Sequence, residues 1–286
     1  MHNFISPKNI DELCQALKEK DENTYVIAGG TDLIIHFSKK GIFDYNIVDI
    51  TKLKELKNII ETETEISIGS CVTMTEIENN SILHEHIEAL TEAAYNLGSQ
   101  QIRNSATIGG NVANASQSGD TLPVLFAYDA NVEIINSLGT RRIEKIDDVV
   151  EGLEKNNLNI DEIITKIIIK KSSSKSAFAK VGSREAVTIS KINCCANINL
   201  NKDMTINEPV IYLGAIGPKP IRAKLIEEKI LGKNINNINI SEINDTIIEQ
   251  IENAIPNRSS KYYKKAASEG LLEDVLYKLR GKSWNN

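Results

Sequence analysis

Cysteine is too scarce and too badly spaced here to build a metal centre. The four cysteines, Cys14, Cys71, Cys194 and Cys195, include no Cys-x-x-Cys pair. The adjacent two would point to opposite faces of a strand. That spacing argues against a zinc or iron–sulfur site made by this chain alone, and the thiols read as buried and reduced. Histidine is equally sparse: His2, His36, His84 and His86. His84 and His86 stand two apart, which does not put them on one helix face, so no metal ligand is expected. No apolar run approaches the ~20 residues that span a bilayer. The first residues lack a basic stretch followed by a long apolar one. A cytoplasmic protein without a membrane span is therefore expected. The formal net charge of −6 argues against nucleic acid, whose phosphates call for a basic surface. Internal repeats and low-complexity tails are also absent.

What is present is an ordinary globular composition, 41% apolar and 25% charged, in a chain of 286 residues. That length accommodates two domains. Near the start, Ile10, Leu13 and Leu17 recur at helical spacing. The β-branched and aromatic run TYVIA then reads as a strand. Gly29-Gly30-Thr31 follows, DLIIHFSKK reads as a helix ending at Gly41, and NIVDI reads as a second strand. The order is strand, glycine turn, helix, strand. Two glycines let the backbone bend tightly and let a ligand come close. Thr31 or Asp32 is placed to cap the helix, and free N–H groups at a helix start favour an anion such as a phosphate. The third glycine of a Rossmann fingerprint is missing, and no Gly-Lys-Ser/Thr follows to make a P-loop.

The stretch Gly98–Asp120, GSQQIRNSATIGGNVANASQSGD, holds few core-forming side chains. Ile102, Ala106 and Ile108 are its scattered apolar anchors, and Gly109-Gly110 reads as a second diglycine turn. Asn104, Thr107, Asn111, Asn114, Ser116 and Ser118 supply short hydrogen-bonding groups. Glycine with short polar side chains suits a pyrophosphate or ribityl chain. Before this stretch, EISIGS is a strand and TMTEIENN starts a helix with Thr73 or Thr75 as cap. HEHIEALTEAAYNLGS is a stronger helix with Ile87, Leu90, Ala94 and Leu97 on one face. After it, TLPVLFAYDANVEII returns to helix and strand. GTRRIEKIDDVVEG is turn, strand and short helix, and DEIITKIIIKK is an edge-to-core strand. Ser172–Ser176 is the most linker-like passage, and the domain boundary is placed there. Beyond it come strands of an antiparallel sheet, then helices from Ile221 onward. Strands followed by helices form an α+β pattern.

The combination AGGTDL at Ala28–Leu33, QIRNSATIGGN at Gln101–Asn111, and Gly119-Asp120 with a following Leu-Pro resembles the FAD-binding subunits of molybdenum hydroxylases. That family contains the medium subunits of xanthine, nicotinate and carbon monoxide dehydrogenases. FAKVGSREAVTIS at Phe178–Ser190, LGAIGPKPIRA at Leu213–Ala223 and NRSSKYYKK at Asn257–Lys265 resemble further motifs of the family, in the same order. The resemblance implies an α+β chain with a two-subdomain FAD-binding fold of the vanillyl-alcohol-oxidase (PCMH) type over 1–172, its subdomains meeting near residue 55. A C-terminal domain over 176–286 would follow, with a three-stranded antiparallel sheet and a helical bundle.

Carried over residue by residue, the resemblance implies a non-covalent FAD site and no catalytic or metal-binding residue. Ile27, Ala28, Gly29, Gly30, Thr31, Asp32, Leu33 and Ile34 would wrap the pyrophosphate with backbone N–H groups. Thr107, Ile108, Gly109, Gly110, Asn111 and Asn114 would line the phosphates and ribityl chain. Gly119 and Asp120 would reach the adenosine or ribityl region, Leu97 a ring, and Ile164 the flavin. Lys180 would sit by the isoalloxazine, where a cation favours an anionic reduced flavin. The resemblance further implies a molybdopterin-binding large subunit, a [2Fe–2S] small subunit, a hetero-oligomer such as a dimer of heterotrimers, and NAD⁺ or another acceptor. A xanthine dehydrogenase-like complex is expected. The alternatives are a stand-alone FAD-dependent oxidoreductase with its own substrate pocket, and a cofactor-free assembly subunit.

Overall fold

Residues 3–281 are described in a computed structural model. His2 and the last residues of the expected C-terminal domain, 282–286, lie outside the described residues. The chain forms two compact units that are interleaved in sequence. One takes the chain up to Ile77, Ser99–Ala115 and Asp129–Lys171. The other takes Glu78–Gly98, Ser116–Tyr128 and the chain from Ser172.

The first unit begins with a three-stranded parallel sheet in the order Phe4–Ile5, Asn46–Asp49, Thr24–Ile27. Its first strand is two residues long and was not legible from pattern. Helix Ile10–Lys18 starts on a reciprocal cap: the Asn9 side chain accepts from Glu12 N–H, and the Glu12 carboxylate accepts from Lys8 N–H. Leu13, Ala16 and Leu17, at helical spacing, bury against Val48, Ile50, Leu53, Ile135 and Ile163. Gly41 ends helix Leu33–Lys40 in the left-handed region at φ 64°, as its position suggested.

A five-stranded antiparallel sheet completes this unit, ordered Ile59–Glu61, Glu65–Gly69, Glu162–Lys170, Asn131–Asn136, Arg141–Lys145. The strand expected to run from edge to core is the central one. Its run of isoleucines is buried on both faces, which explains why it lacks alternation. Arg142 grips Glu162 with two parallel bonds of 2.9 Å across the sheet.

The second unit is built on a four-stranded antiparallel sheet, ordered Ile221–Arg222, Ile206–Gly214, Ile192–Leu200, Lys175–Val181. This corrects the expected three strands. The residues Ile221 and Arg222, read as the start of a helix, extend behind Pro220 and pair with Leu213 and Tyr212. The helix starts later, at Lys224–Ile230. Cys194 and Cys195 do face opposite ways. Ile192, Cys194, Ala196 and Ile198 pack into the core formed with helices Lys224–Ile230, Asn244–Ala254 and Lys261–Leu279. On the other face, Asn193 donates to Gly119 O and Asp120, and Asn197 donates to Ala127 O. These two asparagines bracket helix Thr121–Ala127 at its two ends.

The single helix expected over HEHIEALTEAAYNLGS is two, Ser81–His86 and Glu88–Tyr95, broken at Ile87 with φ −144°. Ile87 is fully buried there, so core packing outweighs helical continuity. Glu92 ties the second helix to the sheet and to the last helix. It accepts Phe178 N–H at 2.6 Å and pairs with Lys278 at 2.8 Å.

Ile167 lies in the central strand of the first unit and is fully buried. Ile167→Ala removes three buried carbons where the sheet cannot collapse. It is expected to lower stability by about 2–4 kcal/mol in urea unfolding of the whole chain.

A glycine-built anion cradle

In the first unit the chain leaves strand Thr24–Ile27, turns through Ala28–Asp32 and enters helix Leu33–Lys40. Gly30 has φ 67°, a conformation that favours glycine. Among the described residues, the backbone N–H groups of Ala28 through Leu33 donate to no acceptor. The first intrahelical bonds are Ile34 N–H to Gly30 O and His36 N–H to Asp32 O. Asp32 occupies the cap position, but neither it nor Thr31 caps the helix by side chain, contrary to expectation. Six consecutive donors at a helix start are thus left to an outside acceptor. These residues are half-buried or exposed, and a helix N-terminus carries partial positive charge, so an anion is the natural partner. No Lys or Arg lies in Ile27–Ile34, so recognition here is by backbone.

The second glycine stretch lies against the first within the same unit. A Cβ on Gly29 would stand 2.0 Å from Ser105 O and 3.0 Å from Ala106 Cα. Only glycine permits that approach. Gly109-Gly110 is not a turn, as the dipeptide suggested, but the first turn of helix Ile108–Asn114. Thr107 caps this helix, its Oγ1 accepting Gly110 N–H at 3.2 Å. The segment is pinned from behind: Met74 N–H donates to Ala106 O, Ile108 N–H to Val72 O and Gly109 N–H to Ser70 O. A Cβ on Gly109 would meet Ser70 Cβ at 2.4 Å, so this glycine serves packing, whereas Gly110 is exposed. Asn111 and Asn114 are half-buried on the same helix. Within this unit the polar stretch is therefore ordered, as the short helices Gln100–Arg103 and Ile108–Asn114. Ile164 is buried in the central strand of this unit.

In the second unit, Leu97 is half-buried just after helix Glu88–Tyr95, and Gly119 precedes Asp120 at the start of helix Thr121–Ala127. Asp120 does not cap that helix, because its carboxylate is used elsewhere. Its Oδ1 accepts from Ser190 Oγ at 2.6 Å and Asn193 Nδ2 at 2.9 Å; its Oδ2 accepts from Lys180 at 2.7 Å. Lys180 also donates to Asn96 O at 2.6 Å and Thr188 O at 3.2 Å. Both side chains are nearly buried, at 6% and 7% exposure. Ser190 and Asn193 were not singled out from sequence. The signal for Asn193 was asparagine recurring at 193, 197 and 199 among apolar residues of one strand, since a buried amide demands a partner.

The first 171 residues match the family described as FAD binding domain in molybdopterin dehydrogenase. Residues 177–279 match the carbon monoxide dehydrogenase flavoprotein C-terminal domain. Together the two matches define a flavoprotein class. The nicotinate dehydrogenase FAD-subunit of Eubacterium barkeri is 33% identical over 97% of both chains. The xanthine dehydrogenase FAD-binding subunit of Escherichia coli O157:H7 is 31% identical over 96% of both. In fold, the chain is similar to carbon monoxide dehydrogenase from Hydrogenophaga pseudoflava, with TM-score 0.84 at 22% identity over 96% of both chains. It is also similar to quinoline 2-oxidoreductase from Pseudomonas putida 86, with TM-score 0.86 at 20% identity over 98% of both. The chain belongs to the family of FAD-binding subunits of molybdenum hydroxylases.

Gly29→Ala is expected to cost about 2–3 kcal/mol, because either Ser105 or the turn must move. Gly270→Ala is the contrasting control: nothing lies within 4 Å of a Cβ in the last helix, and stability should rise by up to about 1 kcal/mol. Urea unfolding of the full chain checks both.

Proposed function

We propose that this chain holds FAD for a multi-subunit, xanthine dehydrogenase-like molybdenum hydroxylase. A large subunit would carry molybdopterin and a small one [2Fe–2S] centres, in a cytoplasmic dimer of heterotrimers. NAD⁺ is the acceptor in this reading. The observation that carries it is the row of unpartnered N–H groups from Ala28 to Leu33, set against Ser105 and Ala106. A row of donors at a helix start fits a pyrophosphate. The domain boundary within 172–176 belongs to this proposal, as do the flavin contacts of Leu97, Gly119, Asp120, Ile164 and Lys180.

FAD, when bound, supplies the junction between single-electron carriers and a two-electron acceptor. The chain's own residues bind and orient. Ala28–Leu33 would satisfy the phosphate oxygens by N–H donation, without a lysine or arginine. Thr107 caps helix Ile108–Asn114, and in this reading the exposed Gly110 backbone and the Asn111 and Asn114 amides would line the phosphates and ribityl chain. Among the described residues no nucleophile paired with a base suggests substrate chemistry on this chain. A subunit that carries electrons needs none.

The purified chain should be yellow, with flavin absorption near ~450 nm, and should co-purify with two partner chains. A colourless full-length chain that takes up no added FAD would defeat the reading and favour an assembly subunit. Gly110→Val should abolish FAD retention at a folding cost of about 1 kcal/mol, since the new side chain also crowds the Thr107 cap. A Gly110→Val protein that keeps full FAD would sink the site assignment.

A further inference from the structure

We propose that the Lys180–Asp120 ion pair is a latch. It holds the exposed segment Gly182–Ile189 in one conformation, with Lys180 and Asp120 as its positioning residues. Lys180 and Asp120 also figure in the flavin reading, but the latch is argued only from bonds within the second unit, and its test reads unfolding and cleavage without flavin.

The segment joins strands Lys175–Val181 and Ile192–Leu200 and has no regular structure. Ser183 through Val187 are exposed, and Ile189 is 78% exposed. Such a connection would ordinarily be loose. This one is strained and braced. Val187, a β-branched residue, sits at φ 52°, where side chains of that kind are rarely found. Internally, Arg184 donates to Ala186 O and Val187 O, and Ser183 N–H donates to Thr188 Oγ1. Gly182 leaves room for Thr188, whose Cγ2 would lie 2.1 Å from a Cβ there.

Strain at Val187 persists only if something outside the segment determines its ends. Among the described residues, the side-chain bonds that do so converge on one pair. Lys180 donates to Thr188 O, and Ser190 Oγ donates to Asp120. The pair is anchored in turn: Lys180 to Asn96 O, Asp120 to Asn193. An ammonium has three donors, and all three are spent, one on each of three chain segments. Asn193 reaches Asp120 only because residue 214 is glycine: a Cβ there would stand 2.0 Å from Asn193 Oδ1. The pair thus fixes an exposed finger that presents two aliphatic side chains, Val187 and Ile189, outward.

A buried pair has two separable roles, and two readouts separate them. Breaking it from one side leaves an uncompensated buried charge, whereas removing both charges relieves that cost. The latch, however, is lost either way: Thr188 O has no donor once Lys180 is gone, and without the Asp120 charge Lys180 is no longer held at Thr188 by its counter-ion. The test compares full-length wild type, Asp120→Asn, Lys180→Met and the double variant. Thermal unfolding and the rate of trypsin cleavage after Arg184 are measured for each. Native-state cleavage tracks local opening. Both single variants should melt lower and be cleaved at least ~10-fold faster at Arg184. The double variant should regain melting temperature yet remain fast at Arg184. If Arg184 in the double variant is cleaved within about twofold of wild type, the latch is overturned and the pair is structural only. Should either single variant fail to fold, the double variant alone decides.

Discussion

At three places in the first unit, glycine lets one stretch of backbone press against another. Gly29 meets the Ser105 carbonyl, Gly69 meets the Leu56 carbonyl and Gly109 meets Ser70, each closer than any Cβ allows. These approaches bring the turn at Ala28–Asp32 and the capped helix at Ile108 into one unit. Without the first of them, the donors of Ala28–Leu33 would have no neighbouring wall at Ser105. The cradle then needs no charged side chain, because its positive potential comes from unpaired N–H groups at a helix start.

The second unit depends on a different kind of contact. Its sheet uses opposite faces for opposite chemistries. One carries apolar side chains into the helical core; the other carries Asn193 and Asn197 to the ends of helix Thr121–Ala127. Asp120 and Lys180 sit at one end of that arrangement. Their polar atoms are bonded to Ser190, Asn193, Asn96 and Thr188 as well as to each other. In this arrangement neither acts as a free charge, which qualifies the simple picture of a lysine offered to a flavin ring.

Much of the fold was legible because it follows period and punctuation. The apolar positions of helix Ile10–Lys18, the stop at Gly41, the cap in which Thr73 Oγ1 accepts Glu76 N–H at 3.2 Å, and the alternation around Cys194 and Cys195 are local statements, and local physics decided them. Three misreadings share one cause. The helix break at Ile87, the central place of strand Glu162–Lys170 and the short strand Ile221–Arg222 each answer to a distant partner. The diglycine at Gly109 misled for a local reason: a pair that looks like a turn is helical behind the Thr107 cap.

The residue types of the site, and their order, were present in the sequence. Glycine pairs and short polar side chains, without a thiol or histidine cluster in the sequence, are what point to binding through backbone N–H groups. Family membership was carried by motif order along nearly the whole chain. Only the tertiary structure decided which donors are left unpaired, which glycines serve packing rather than approach, and that Asp120 and Lys180 are spent on each other. Hydrogen-bond satisfaction and close packing are properties of pairs far apart in sequence, and a single chain read in order holds only one member of each pair at a time.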